Sequence, residues 1–176
     1  MTREHRKARA RRVVVGIDGD GRSTIVSDGP TPTHLATDAY TLNQIWQATQ
    51  VPTPVMAENT LGDDAVIPPP PGGYTYVVTT FPPDNEWDYT AGWTQALIDA
   101  GAADSVVGDS GVPGMHATDT VDILTIISGE IYAVLETGET LLRPGDSLVQ
   151  RGTKHAWRNR GDVACVMAAI HISGVR

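Results

Sequence analysis

A single cysteine, Cys165, excludes an internal disulfide and a zinc site built on several thiolates. Within the apolar run CVMAAI it reads as a small buried hydrophobe, with no basic neighbour to make it a reactive thiolate. No stretch approaches the roughly 20 apolar residues of a membrane-crossing helix, so no membrane partner is expected. The first residues lack the apolar core of a secretory signal, which points to a cytoplasmic protein. A G-x-S-x-G elbow is absent, so no serine nucleophile is predicted. Gly129, Gly138, Gly145 and Gly152 precede no helical pattern and read as turns, not as a phosphate loop.

Basic residues are scarce outside the extreme N-terminus. Six of the 13 lie in positions 1–12 (Arg3, Arg6, Lys7, Arg9, Arg11, Arg12), opposed only by Glu4. The other 164 residues carry 7 basic and 20 acidic side chains, a field that repels phosphate, so no nucleic-acid partner is expected. Residues 1–12 read as a solvated, disordered tail, and His5 as solvated with it. His34 reads likewise.

What is present is an ordinary globular composition, 40% apolar and 19% charged, long enough for one domain over 13–176. Eighteen glycines and 12 prolines favour turns and short strands over long helices. VVVGI and RSTIV flank Asp18-Gly19-Asp20-Gly21 and predict a hairpin over 13–27. Residues 28–72, rich in proline, read as an irregular wrap pinned by Trp46 and Met56. TYVVTTF (75–81) reads as a strand. TAGWTQALIDAG (90–101) reads as a short helix with Trp93, Leu97 and Ile98 on one face and Gly101 at its end. From 115 onward the pattern is all strand: ATDTVDILTII, EIYAVLE, TLL, SLVQ, HAWRN and CVMAAIHI, separated by Gly- and Pro-containing turns. Evenly spaced short strands indicate a barrel or sandwich.

His116, Thr118, Thr120 and Asp122 alternate at period two, which places them on one face of a strand, and Leu124 and Ile126 mark that face as inner. A buried imidazole and carboxylate require pairing or a cation. His155 and Trp157 share a face on a later strand. Two histidines and a carboxylate are a sufficient set for a divalent metal with open positions. Trp157, Tyr132, Tyr74, Tyr76 and Phe81 read mainly as core. Asp119 should face outward, and Arg151 and Lys154 read as surface charge. His171 ends the last strand and reads as a rim histidine, with a place as third imidazole left open.

These residues carry a resemblance to the cupin superfamily. Its first motif runs from Gly through His-x-His, three or four residues, Glu, six residues and Gly. This chain has His116-Ala117-Thr118, then Asp122, then Gly129. The second motif is matched by Gly145, Gln150-Arg151-Gly152, His155 and Asn159, with one residue fewer after Gly145 and Gln150 at the usual Pro. The resemblance covers about residues 111–172. It implies an all-β, mainly antiparallel double-stranded β-helix (jelly-roll) barrel, here with an N-terminal hairpin and one short helix. It further implies a divalent metal (Fe, Mn, Zn or Ni) on His116, Asp122 and His155, or none, since Thr118 stands at the second His position. Thr118, Thr120, Gln150 and Trp157 would line the pocket, and His116, Asp122 and His155 would be catalytic. The implied activity is a metal-dependent lyase, dehydratase or isomerase acting on a small molecule. Alternatives are a non-heme iron dioxygenase and a non-catalytic binding or sensing protein. A homodimer is the assembly that the resemblance implies.

Overall fold

The computed structural model describes residues 3–108 and 110–176. Its strands are β1 (Arg11–Ile17), β2 (Ser23–Pro30), β3 (His34–Ala36), β4 (Thr41–Ala48), β5 (Tyr74–Phe81), β6 (Thr120–Ser128), β7 (Ile131–Leu135), β8 (Gly138–Leu142), β9 (Ser147–Gln150), β10 (His155–Arg158) and β11 (Cys165–Ser173). One α-helix, α1 (Tyr89–Asp99), joins them. A six-stranded sheet runs β3-β4-β5-β11-β6-β9 and a three-stranded sheet runs β10-β7-β8. Every pairing among these strands is antiparallel. β1 and β2 form a separate ribbon.

Alternation builds the barrel interior. On β6, Thr120, Asp122, Leu124 and Ile126 are buried while Val121, Ile123 and Thr125 face out. On β11, Cys165, Met167 and Ala169 point the same way. Leu42 and Val77 join them from the same sheet, and Ile131, Ala133, Leu142 and Trp157 close the core from the other. The helix begins at Asp88, whose side chain accepts from the Ala91 amide at 3.0 Å. It is followed by Gly101 at φ +66°. Trp93, Ala96 and Leu97 are buried, whereas Ile98 is exposed: its position on the helix turns it off the shared face expected for it.

Two expectations are corrected. Residues 28–72 are not a mere wrap, since β3 and β4 belong to the main sheet. Trp46 is half-buried and Met56 exposed, and the segment is held instead by Tyr40, Leu42, Ala65 and Ile67. β4 lacks an apolar period because its polar residues are satisfied internally. Thr41 Oγ1 donates to His5 O at 2.8 Å, and Asn43 Oδ1 accepts from the Ala10 amide at 3.2 Å. The same bonds order the arm that was expected to be a disordered tail. His5 is buried with Nε2 at 3.0 Å from Thr37 O, and Arg6 bonds Asp38 at 2.6 Å. Met1 and Thr2 lie outside the described residues. Among the described residues no helix is long and apolar enough to cross a membrane.

Gly129 turns β6 into β7 at φ +71°, and a Cβ there would press on the Ala164 carbonyl. Gly129→Ala is therefore expected to cost at least about 2 kcal/mol, read as a lowered urea midpoint with unchanged slope. A midpoint equal to wild type would show that the turn has slack.

Candidate functional site

His116 and His155 are brought together by their own backbones. The His116 amide donates to His155 O at 2.9 Å and the His155 amide to His116 O at 3.0 Å, a reciprocal antiparallel pair. The imidazole centroids then lie 4.2 Å apart. Each ring is oriented by the carbonyl two residues before it: His116 Nδ1 lies 2.8 Å from Gly114 O, and His155 Nδ1 lies 3.0 Å from Thr153 O. A carbonyl only accepts, so Nδ1 carries the hydrogen in both rings and Nε2 keeps its lone pair. Burial, reinforced by the neighbouring His116, pushes His155 down to about 3, and burial also lowers His116. Both rings are neutral near pH 7.

These rings stand in a small cavity of about 70 Å³ within the barrel. Leu124, Met167, Phe81 and Trp157 wall it from the two sheets, and Trp93 and Leu97 from α1. His155 meets Trp157 edge to face at 5.6 Å. Asp122 enters from β6; it is buried, and its Oδ1 has no hydrogen-bond partner. Burial raises its pKa, and the nearby His171 opposes the rise.

The expected pocket residues divide. Thr118 and Trp157 line the cavity, with Thr118 Oγ1 2.7 Å from Thr120 Oγ1. Thr120 and Gln150 do not line it. Gln150 is spent on the turn that presents His155, donating to Thr153 O at 2.7 Å and Thr153 Oγ1 at 2.6 Å. Asp119 faces out and pairs with Arg176, and Lys154 pairs with Glu136. Tyr74, Tyr76 and Tyr132 are half-buried and off the cavity. His171 is not a rim residue: it lines the cavity, its Nδ1 is 3.2 Å from Ile67 O, and its register places it beside Asp122. The parity of Cys165, Met167 and Ala169 was the signal that could have placed it. Tyr40 and Ile67, from the segment read as irregular, also line the cavity.

A divalent metal meets this site halfway. Two neutral imidazoles with Nδ1–H held by carbonyls are oriented as metal-binding histidines are, and Asp122 Oδ1 is an orphaned acceptor. Yet among the described residues no three His, Cys, Asp or Glu side chains are gathered as a metal would need. The expected trio His116, Asp122 and His155 therefore shares a cavity, and only the two histidines are in ring contact.

Comparison with known proteins gives the cupin domain family model over residues 104–171. Phomopsin biosynthesis cluster protein C' of Diaporthe leptostromiformis is 49% identical over 51 residues, 28% of this chain and 27% of that protein. A cupin-domain-containing oxidoreductase, srdB, of Neurospora crassa is 43% identical over 49 residues, 27% of this chain and 25% of that protein. The matches thus span about a quarter of these curated relatives. A cupin 2 conserved barrel domain protein from Salinispora arenicola superposes with a TM-score of 0.41 at 13% identity, over 76% of each chain.

Proposed function

We propose, from the match of residues 104–171 to the cupin domain family model, that the chain is a small-molecule enzyme, a lyase, dehydratase or isomerase acting by proton transfer inside the barrel. The observation that carries this reading is two neutral, oriented imidazoles and a buried carboxyl with one unpartnered oxygen facing one apolar cavity. Asp122 takes and returns the proton; burial lifts its basicity toward the working range. His116 and His155 orient the reacting end through their Nε2 lone pairs. A divalent cation, when bound, would be held by these two histidines and would supply Lewis-acid polarisation of a carbonyl or hydroxyl. Phe81, Trp157 and Leu124 exclude water and position the apolar body of the substrate.

The test is to incubate the enzyme, purified without chelator, with a small-molecule extract and to compare mass spectra over time. Wild type should convert one or more species, and Asp122→Asn should slow that conversion by about 10²–10⁴-fold. Conversion at equal rates by both proteins would exclude Asp122 as the proton carrier, and no conversion by wild type would count against the enzyme.

A second reading, oxygen-dependent redox chemistry on a metal at the histidine pair, is favoured by the similarity to the cupin-domain-containing oxidoreductase of Neurospora crassa. Dioxygen uptake in that extract by the iron-loaded protein, lost in His116→Ala, would replace the first reading.

The proposal includes a homodimer and no nucleic-acid partner. The β1–β2 ribbon exposes Val13, Val15, Ile17 and Ile25 and pairs with no other strand, a surface suited to a twofold contact with a second copy. Arg6 and Arg11 of the basic arm are already paired with Asp38 and Asp28.

A further inference from the structure

The β1–β2 ribbon carries a strand edge that the chain leaves open. β1 bonds β2 on one side, and among the described residues no strand pairs with its other side. Arg12 through Ile17 border an open cleft of about 680 Å³, faced across the gap by Trp46 and Met56. Free edges are usually guarded by proline, charge or a bulge. β2 has such guards in Asp28, Pro30 and a bulge at Val26, where Val14 pairs with Ser27 and Val15 with Ile25. β1 has none from Val13 to Ile17, where the sequence is VVVGI. A two-stranded ribbon is marginal in water on its own, and this one shows Val13, Val15, Ile17 and Ile25 to solvent. Arg12 adds a charge without a counterpart. Its Nη1 is buried and unpartnered, and among the described residues no carboxylate pairs with it, Glu58 of the same cleft included.

We propose that this edge receives β1 of a second copy, the two strands pairing antiparallel about a twofold axis through Val15. The inference deepens the self-association proposed above, and rests on it, by naming the edge and the register. Pairing about Val15 sets Val13 opposite Ile17 of the second copy, Val14 opposite Gly16 and Arg12 opposite Asp18, each contact occurring twice. Opposed residues share a face. Val13, Val15, Ile17 and Ile25 of both copies then form one apolar face on a four-stranded sheet, and Arg12 meets Asp18 on the other. Asp18 is held ready at its turn, where Oδ1 accepts from the Asp20 and Arg22 amides at 3.0 and 2.9 Å. Its Oδ2 has one partner, Arg22 Nε at 3.2 Å, and room for another donor. Neighbouring registers fail. An axis at Val14 would set Arg11 against Ile17 and leave Arg12 against Gly16, and an axis at Gly16 would set Val14 against Asp18. A formal net charge of −8 opposes self-association in general. This edge escapes that repulsion because it has arginine at one end and aspartate at the other, and the twofold axis brings unlike ends together.

Cross-linking tests the register. In a Cys165→Ala background, Val15→Cys should give a disulfide-linked dimer on mild oxidation, because opposed Cβ atoms in an antiparallel pair lie about 4.5–5.5 Å apart. Ile25→Cys, on the far strand of the ribbon, should stay unlinked, since the two β2 strands would stand about 14 Å apart. Sedimentation velocity should show a wild-type dimer, weakened about tenfold or more by Arg12→Asp and recovered in the double variant Arg12→Asp, Asp18→Arg. The cross-link decides the matter alone should the double variant lose its turn. A dimer that links through Ile25→Cys and not through Val15→Cys, or that ignores Arg12→Asp, would overturn this edge and leave self-association standing. Loss of the dimer only in Ile123→Arg would overturn it too, placing the contact on the outer face of the main sheet, where Ile123 is exposed. A wild-type monomer at every concentration would count against both.

Discussion

Replacing Trp93 with alanine is expected to destabilise the protein by about 3–5 kcal/mol, the range for removing a large buried aromatic side chain. Trp93 is 3% exposed and is the hub of an aromatic cluster, with ring centroids 5.8 Å from Tyr40, 6.4 Å from Phe81, 5.8 Å from Trp87 and 6.2 Å from Tyr89. Those partners come from the β3–β4 turn, β5, the loop into α1 and the first residue of α1, so the indole ties the helix to the barrel. Gly114 lies over it at φ +77°, and a Cβ there would sit 2.6 Å from the indole Cγ. The backbone next to His116 is therefore shaped around Trp93, and the void left by alanine opens into the candidate site. Urea unfolding should show the lowered midpoint with an unchanged slope. A loss under about 1 kcal/mol would mean that the cluster collapses around the gap and does not position the site.

The second large effect is acid sensitivity. His155 has its pKa depressed to about 3 in the folded protein against 6.5 for a free imidazole. Between those values the unfolded chain binds a proton that the folded chain refuses, so stability falls as pH falls from about 6.5 toward 3. At pH 5 this one group removes about 2 kcal/mol relative to pH 7. The side chain is almost fully buried, so solvent screening offsets little of it. His116, depressed by the same burial, acts in the same direction. Asp122 acts in the opposite direction. Its folded pKa is raised, so the folded state takes a proton more readily than the unfolded chain, and acidification through that range favours folding. Urea midpoints at pH 7 and pH 5, measured in chelator, should drop for wild type and drop by about 2 kcal/mol less for His155→Gln. Parallel losses in the two proteins would show that His155 titrates freely.

The second half of the chain was legible because each strand there alternates and each turn carries its glycine. Leu124 and Ile126, in phase with Asp122, mark the inner face of β6 in the sequence. The first half hid its main strand. In β4, Thr41, Asn43 and Gln44 are all buried, and no apolar period betrays a strand in which Thr41 and Asn43 bond an arm more than 30 residues earlier and Gln44 bonds Val66 O. That long-range bonding is also why the arm looked unstructured: charge pattern alone cannot show that Arg6 meets Asp38. At the site, His116, Asp122, His155, Thr118 and Trp157, picked out by residue type and parity, line one cavity. Thr120 and Gln150 turn to local partners instead, and His171 follows the parity of Cys165, Met167 and Ala169 into the cavity.

The protonation state of the imidazoles tests the account most directly. Long-range proton–nitrogen NMR correlations of His116 and His155, in metal-free protein at pH 7, report both charge and tautomer. The structure predicts neutral rings with the hydrogen on Nδ1 and a bare Nε2 on each. A charged ring, or a hydrogen on Nε2, would remove the acceptor pair on which the proposed chemistry depends.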